Sequence, residues 1–138
     1  MEKLLITGGT GLVGSSIDRG IKLNSKTLDL RNWEKTKKYF SHHKPSHVIH
    51  CAAKVGGLGG NMNHKGEFFY DNIMMNTNVI EACRIHNVEK LVCFLSTCVF
   101  PNNIEYPLTE KKIHLGPPHN SNDAYSYAKR MADVQIRA

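Results

Sequence analysis

Thr7-Gly8-Gly9-Thr10-Gly11-Leu12-Val13-Gly14 decides the fold, because the apolar run Leu4-Leu5-Ile6 precedes it and a helix-compatible segment follows it. A strand that turns sharply through glycines into a helix start is an anion site. The unpaired N–H groups of the first helical turn and the positive end of the helix dipole face a pyrophosphate, and only glycine lets the backbone come that close. Gly9-x-Gly11-x-x-Gly14 fits the dinucleotide-binding fingerprint, and Gly8-x-x-Gly11-x-x-Gly14 fits its close variant. Gly8, Gly11, Leu12, Val13 and Gly14 are therefore candidate contacts of a dinucleotide cofactor.

Outward from that stretch, the 138-residue chain has the apolar and charged content of one ordinary globular domain. Its net charge of +6 is scattered rather than striped, which disfavours nucleic acid and suits a nucleotide-sized anion. Cys51, Cys83, Cys93 and Cys98 form no Cys-x-x-Cys pair, so they read as reduced thiols, and no metal site is expected despite the histidines. The apolar runs are too short to span a membrane, and Met1-Glu2-Lys3 leads straight into a strand, so the expectation is a cytoplasmic protein without a signal peptide.

In chain order, strand and helix alternate. Lys3 to Thr7 reads as a buried first strand, and Leu12 to about Arg19 as a first helix with Val13 and Ile17 on one face, stopped early by Gly20. Ile21-Lys22-Leu23 must then serve as an abbreviated second strand. The end of that strand selects the cofactor, an acidic residue binding the ribose hydroxyl of NAD and a basic one accommodating the 2′-phosphate of NADP. Lys26 stands there, with Asp29 and Leu30 just beyond, which favours NADP; the alternative is a solvated loop lysine.

Asn32 begins a helix that ends before Pro45, leaving His42 and His43 as a solvated pair near its end. His47 to Cys51 is the next strand, and Ala52-Ala53-Lys54 at its carboxyl end is placed to pack along the cofactor. Gly56 to Gly60 is too glycine-rich for regular structure and reads as a ligand-touching loop. A long helix follows from Glu67 to about Asn87, with Asn72, Asn76 and Asn78 as its odd residues, either reaching a cofactor or solvated and capping. Lys90 to Leu95 reads as a strand buried on both faces.

Tyr125-Ser126-Tyr127-Ala128-Lys129 sets a phenol and an ammonium on adjacent turns of one helix face. A neighbouring ammonium favours phenolate, so Tyr125 is expected to have a lowered pKa and to trade a proton with a carbonyl or alcohol. Lys129 can also hold the cofactor ribose, and Ser96 at a strand mouth can hydrogen-bond a substrate carbonyl. The architecture expected is α/β, a Rossmann-like doubly wound parallel sheet.

With these motifs in hand, the sequence resembles the extended short-chain dehydrogenase/reductases, in their branch acting on GDP-sugars. The resemblance is carried by GGTGLVG at Gly8 to Gly14, AAKVGG at Ala52 to Gly57, LSTCVFP at Leu95 to Pro101, GPPHNSN at Gly116 to Asn122 and YSYAKRM at Tyr125 to Met131. It implies an NADP-dependent enzyme, pairing as a homodimer through its long helices, that epimerises a GDP-linked keto sugar beside the ketone and then reduces that ketone. Cys98 matches the family's proton-exchanging cysteine, and dehydratases of the same superfamily have an acidic residue in this region. Against the family pattern the first helix and second strand are short. The chain also stops at Ala138, inside the helix carrying Tyr125 and Lys129. The expectation is thus an incomplete NADP-binding domain over residues 1–138 without the substrate domain. Another sugar-nucleotide epimerase or reductase, or a non-catalytic nucleotide-binding module, are the alternatives.

Overall fold

A computed structural model describes residues 3–138. Met1 and Glu2, and with them the expected direct entry into the first strand, lie outside the described residues. The chain forms two compact units, one made of the segment up to Ala53 together with Met74–Phe94, the other of Lys54–Ile73 and Leu95–Ala138.

The first unit is a four-stranded parallel sheet of β1 (Leu4–Thr7), β2 (Ile21–Lys22), β3 (His47–His50) and β4 (Lys90–Cys93), in the order β2-β1-β3-β4. Leu5 sits opposite Ile21 on one side and Val48 on the other, and Val48 opposite Leu91. Parallel neighbours require crossovers, and helical segments supply them, giving the Rossmann-like α/β class expected. Helix α2 (Trp33–His43) starts where Asn32 accepts the Lys35 amide on its side chain and ends where Lys44 turns left-handed at φ 46°. Its Thr36 and Phe40 are fully buried, and Phe40 packs with Leu5, Val48, Leu28 and, from a later helix, Val79 and Cys83. Truncating that ring would cost about 3 to 5 kcal/mol.

Three elements differ from the sequence reading. Helix α1 is Leu12–Ser15, a single turn, so Val13 and Ile17 never form a shared face, and Leu12 and Val13 stay exposed. Ser15 and Ser16 hydroxyls donate back to the Leu12 carbonyl, and Lys22 Nζ donates to the Ser15 carbonyl, which closes the turn. Strand β4 is an edge of the sheet rather than an interior strand, with Val92 and Phe94 about two-fifths exposed. Helix α3, Gly57–Asn63, occupies the glycine stretch expected to be irregular. The residue before it, Gly56, lies so close to Phe68 that a Cβ there would come within 2.8 Å of the ring.

The long helix α4 runs Lys65–Ile85, its first part in the second unit and the rest in the first. The second unit is completed by a 3₁₀ turn at Thr97–Val99, another at Glu110–Lys112, and helix α5, Asp123–Arg137. Among the described residues no helix is long and apolar enough to cross a membrane, and no cluster of metal-ligating side chains occurs. His43 of the expected solvated pair stacks on Tyr39 at 3.8 Å.

Candidate functional site

In the first unit, the turn after β1 is shaped by its glycines. Gly8 has φ +66°, and a Cβ there would press to 2.7 Å of the Ala52 amide nitrogen; one on Gly14 would strike the Gly8 carbonyl oxygen. Glycine is therefore required at both positions by close backbone packing, and at Gly8 by its positive φ as well, which fixes the path of the turn between β1 and α1. With α1 only one turn long, an anion site in this turn would rest on these glycines more than on a helix dipole. Behind it, the fully buried His50 accepts from Thr7 Oγ1 on Nδ1 (2.6 Å) and donates from Nε2 to Asn76 Oδ1 (3.0 Å), while Thr7 Oγ1 takes the Ala52 N–H at 3.3 Å. The end of β1 and the start of the Ala52 loop are thus pinned together.

Beyond β2, Asn24 Oδ1 accepts the amides of Lys26 and Thr27 in a tight side-chain-closed turn, which leaves Lys26 exposed. Asp29 and Arg31 face each other through Nε and Nη2, both at 3.0 Å. The Arg31 guanidinium holds the Asp29 carboxyl below its usual range, so Asp29 is an anion at neutral pH. Leu30 is a core side chain whose carbonyl accepts from Asn78 Nδ2 at 2.8 Å, so it can offer a ligand only its backbone. Arg31 went unnoticed in the sequence reading; the Asp-x-Arg spacing is its only local signal.

In the second unit, Lys54 follows Ala52 and Ala53 and is tied down on its main chain by Asn72, which is fully buried. Its exposed ammonium pairs with Glu67 at 2.9 Å and Asp71 at 3.7 Å, which raises its pKa, Glu67 having the larger effect. None of Asn72, Asn76 and Asn78 is solvated or capping: all three are buried and bridge to backbone or to His50.

The same unit gathers the proposed chemistry. Ser96 precedes the Thr97–Val99 turn and accepts the Cys98 amide on its hydroxyl (3.3 Å). That hydroxyl also hydrogen-bonds the Tyr125 phenol, and the Cys98 sulfur lies close enough to act on the same phenol. Tyr125 is 8% exposed and Lys129 2%, so both project inward from α5. The expected fall in the Tyr125 pKa is not what this environment produces. Burial first, and then the Cys98 sulfur, push it above its ordinary value, against a downward pull from Ser96. Beside this group, Cys98, Asn122, His119, Phe100 and Tyr106 line a cavity of about 360 Å³. Asn122 Nδ2 donates to Cys98 Sγ at 2.9 Å, a contact that local periodicity does not reveal.

These features have counterparts in known proteins. The model of the NAD dependent epimerase/dehydratase family matches residues 4–138. A GDP-L-fucose synthase of Dictyostelium discoideum is 49% identical over 146 aligned positions, covering 98% of this chain and 46% of that protein. A probable GDP-L-fucose synthase of Drosophila melanogaster is 46% identical over 149 positions, covering 100% and 46%. Both alignments are longer than the chain, so the relatives have residues without a counterpart here. The crystal structure of a GDP-L-fucose synthetase from Naegleria fowleri bound to NADP superposes with a TM-score of 0.89 at 48% identity, over 99% of this chain and 47% of that one. The chain spans about half the length of the curated relatives it matches.

Proposed function

The chain belongs to the NAD dependent epimerase/dehydratase family, and on that premise we propose that it is the cofactor-binding and partly catalytic portion of an NADP-dependent enzyme converting GDP-4-dehydro-6-deoxy-D-mannose to GDP-L-fucose. The observation that carries this reading is the buried pair Tyr125 and Lys129 in the same unit as Ser96, whose hydroxyl accepts the Cys98 amide at the edge of a cavity lined by Cys98. A hydroxyl and a phenol suit a ketone being reduced; a sulfur beside them suits proton exchange at the carbons that the ketone acidifies. Similarity to GDP-L-fucose synthases over nearly the whole chain supports the choice of sugar.

The glycine turn with Gly8, Gly11, Leu12, Val13 and Gly14 fits a pyrophosphate, and we assign Lys26 to the 2′-phosphate, with Asp29, Leu30, Ala52, Ala53 and Lys54 along the rest of the cofactor. Bound NADPH supplies the hydride. Cys98 takes the protons beside the ketone, and inversion follows when those carbons are reprotonated from the opposite face; Ser96 orients the carbonyl oxygen; Tyr125 delivers a proton to that oxygen as it becomes a hydroxyl, and Lys129 holds the ribose and favours the phenolate left behind. Two copies pair through the apolar side chains that α5 and α4 leave exposed, Tyr127, Met131 and Val134 with Phe69 and Tyr70, in the cytoplasm, where the free cysteines remain reduced.

The test is the GDP-keto sugar in D₂O. Deuterium entering beside the ketone, followed by NADPH oxidation, is expected. NADPH binding with neither exchange nor oxidation would instead favour a nucleotide-binding module that does not turn over, the reading supported by the half-length match.

A further inference from the structure

We infer that Asn122 is a positioning residue for Cys98, aiming a side-chain N–H at the sulfur that takes the substrate proton; this rests on the proposed proton exchange at Cys98. Asn122 is the residue before α5, and its carbonyl accepts the Ser126 amide at 3.0 Å, so its place is fixed by the helix start. Its side chain is clamped as well. Ser126 Oγ, fully buried, lies 3.0 Å from the Asn122 carbonyl and 3.3 Å from Asn122 Oδ1, donating toward both. With the acceptor end of the amide so occupied, the donor end faces the sulfur, and Nδ2 meets Cys98 Sγ at 2.9 Å.

An N–H donor stabilises a thiolate and has little to offer a thiol, whose sulfur is a weak acceptor. The amide therefore acts when Cys98 has given up its proton and must take one from carbon. The Cys98 main chain is fixed as well, because its amide donates to Ser96 Oγ at 3.3 Å. Cys98 acts electrostatically on the Tyr125 phenol, and His119 lines the same cavity as Cys98, its Nδ1 engaged by the Ser121 amide and hydroxyl.

The experiment is peptide-resolved alkylation of the chain by iodoacetamide at pH 7.5, read by mass spectrometry at Cys98. Cys83, which is buried, serves as the internal control for folding. A hydrogen bond aimed at the sulfur favours the form that attacks the reagent, so its loss is read as a several-fold change in labelling rate. Asn122→Ala is expected to slow labelling of Cys98 about threefold. Asn122→Asp, equal in size but placing a carboxylate at the sulfur, should slow it further, and Ser126→Ala less than either. A residue that merely covers the sulfur predicts the opposite, faster labelling of Asn122→Ala; that result, or an unchanged rate in Asn122→Asp, overturns the inference. If Asn122→Ala exposes Cys83, the comparison passes to Asn122→Asp and Ser126→Ala. Whether Cys98 exchanges sugar protons is read separately in D₂O, so either idea can fail alone.

Discussion

Asn72 grips a single peptide residue from both sides: its Nδ2 donates to the Lys54 carbonyl and its Oδ1 accepts the Lys54 amide, each at 2.9 Å. A third bond runs from Nδ2 to the Phe68 carbonyl at 2.7 Å. A side-chain amide here replaces the neighbouring strand that would otherwise satisfy this backbone, inside a fully buried site. Asn72→Ala strands a buried N–H and carbonyl and should cost about 2 to 4 kcal/mol. Asn72→Asp keeps the acceptor but loses the donor and adds a buried charge, so it should cost at least as much at pH 7. Urea midpoints at constant slope check both; a loss below about 1 kcal/mol in both variants would refute the account.

Gly8→Ala should destabilise the chain by about 2 to 3 kcal/mol and abolish NADPH binding, because its Cβ meets the Ala52 nitrogen while φ stays at +66°. Gly59→Ala is the contrast: nothing lies within 4 Å of its added Cβ and it sits inside α3, so it should stabilise by up to about 1 kcal/mol. Thermal unfolding of the two variants with and without NADPH separates a shape requirement from a general cost of replacing glycine.

Cofactor preference gives a third prediction. NADPH should quench Trp33 fluorescence at lower concentration than NADH, and Lys26→Ala should reduce that preference about five- to tenfold, the scale of one exposed charge-assisted contact. Arg31→Ala should change it less, since the Arg31 guanidinium is already engaged by Asp29. If Arg31→Ala removes the preference and Lys26→Ala leaves it, the 2′-phosphate assignment moves to Arg31.

The parts of this molecule written in local pattern were readable from the sequence. The glycine turn, the Asn32 helix start, the parallel strands and the inward Tyr125–Lys129 face all depend on spacing within a few residues. What escaped depends on partners far along the chain. Asn78 reaches the carbonyls of Leu30 and Arg31, and His50 reaches Asn76, contacts that no periodicity encodes. Gly57–Asn63 is helical against its poor helix propensity, and β4 looks like an interior strand because apolar composition does not say whether a neighbour is present. At Tyr125 the reason is related: the Tyr-x-x-x-Lys spacing reports the ammonium, whereas burial dominates the phenol.

Acid should weaken the fold through carboxylates paired with basic side chains, Asp29, Asp123 and Asp133 among them. Asp29 is lowered mainly by Arg31 and Asp123 mainly by Lys65; at Asp133 burial acts upward but is outweighed by bonds to His114 and Arg137. A folded value below the unfolded one, about 3.9, means stabilisation that is present above about pH 4 and lost as pH falls through the folded values. All three are partly exposed, so the effect is small and shrinks with salt. Urea midpoints should hold between pH 5 and 7 on their account and drop below about pH 4. Asp29→Asn, Asp123→Asn and Asp133→Asn should each shallow that drop; parallel curves would show that the pairs contribute nothing.

The alkaline side has the opposite sign and a single main source. Burial, with a smaller contribution from Cys93, pushes the Cys83 thiol up to about 12. An unfolded cysteine ionises near 8.5, so the neutral native thiol stabilises the fold fully below that pH, and this contribution is lost as pH rises toward about 12. Tyr39 and Tyr125 are raised too, but they start from about 10, which leaves the interval from about 8.5 to 10 to cysteine. Stability should begin to decline there, and Cys83→Ala should flatten the decline while costing about 1 kcal/mol at neutral pH for the sulfur removed from the core. Native chain at pH 8.5 should also leave Cys83 unlabelled by iodoacetamide except through opening of the fold. Labelling of Cys83 as fast as of a small free thiol, or identical alkaline profiles for the two proteins, would mean that Cys83 is not the group the fold protects.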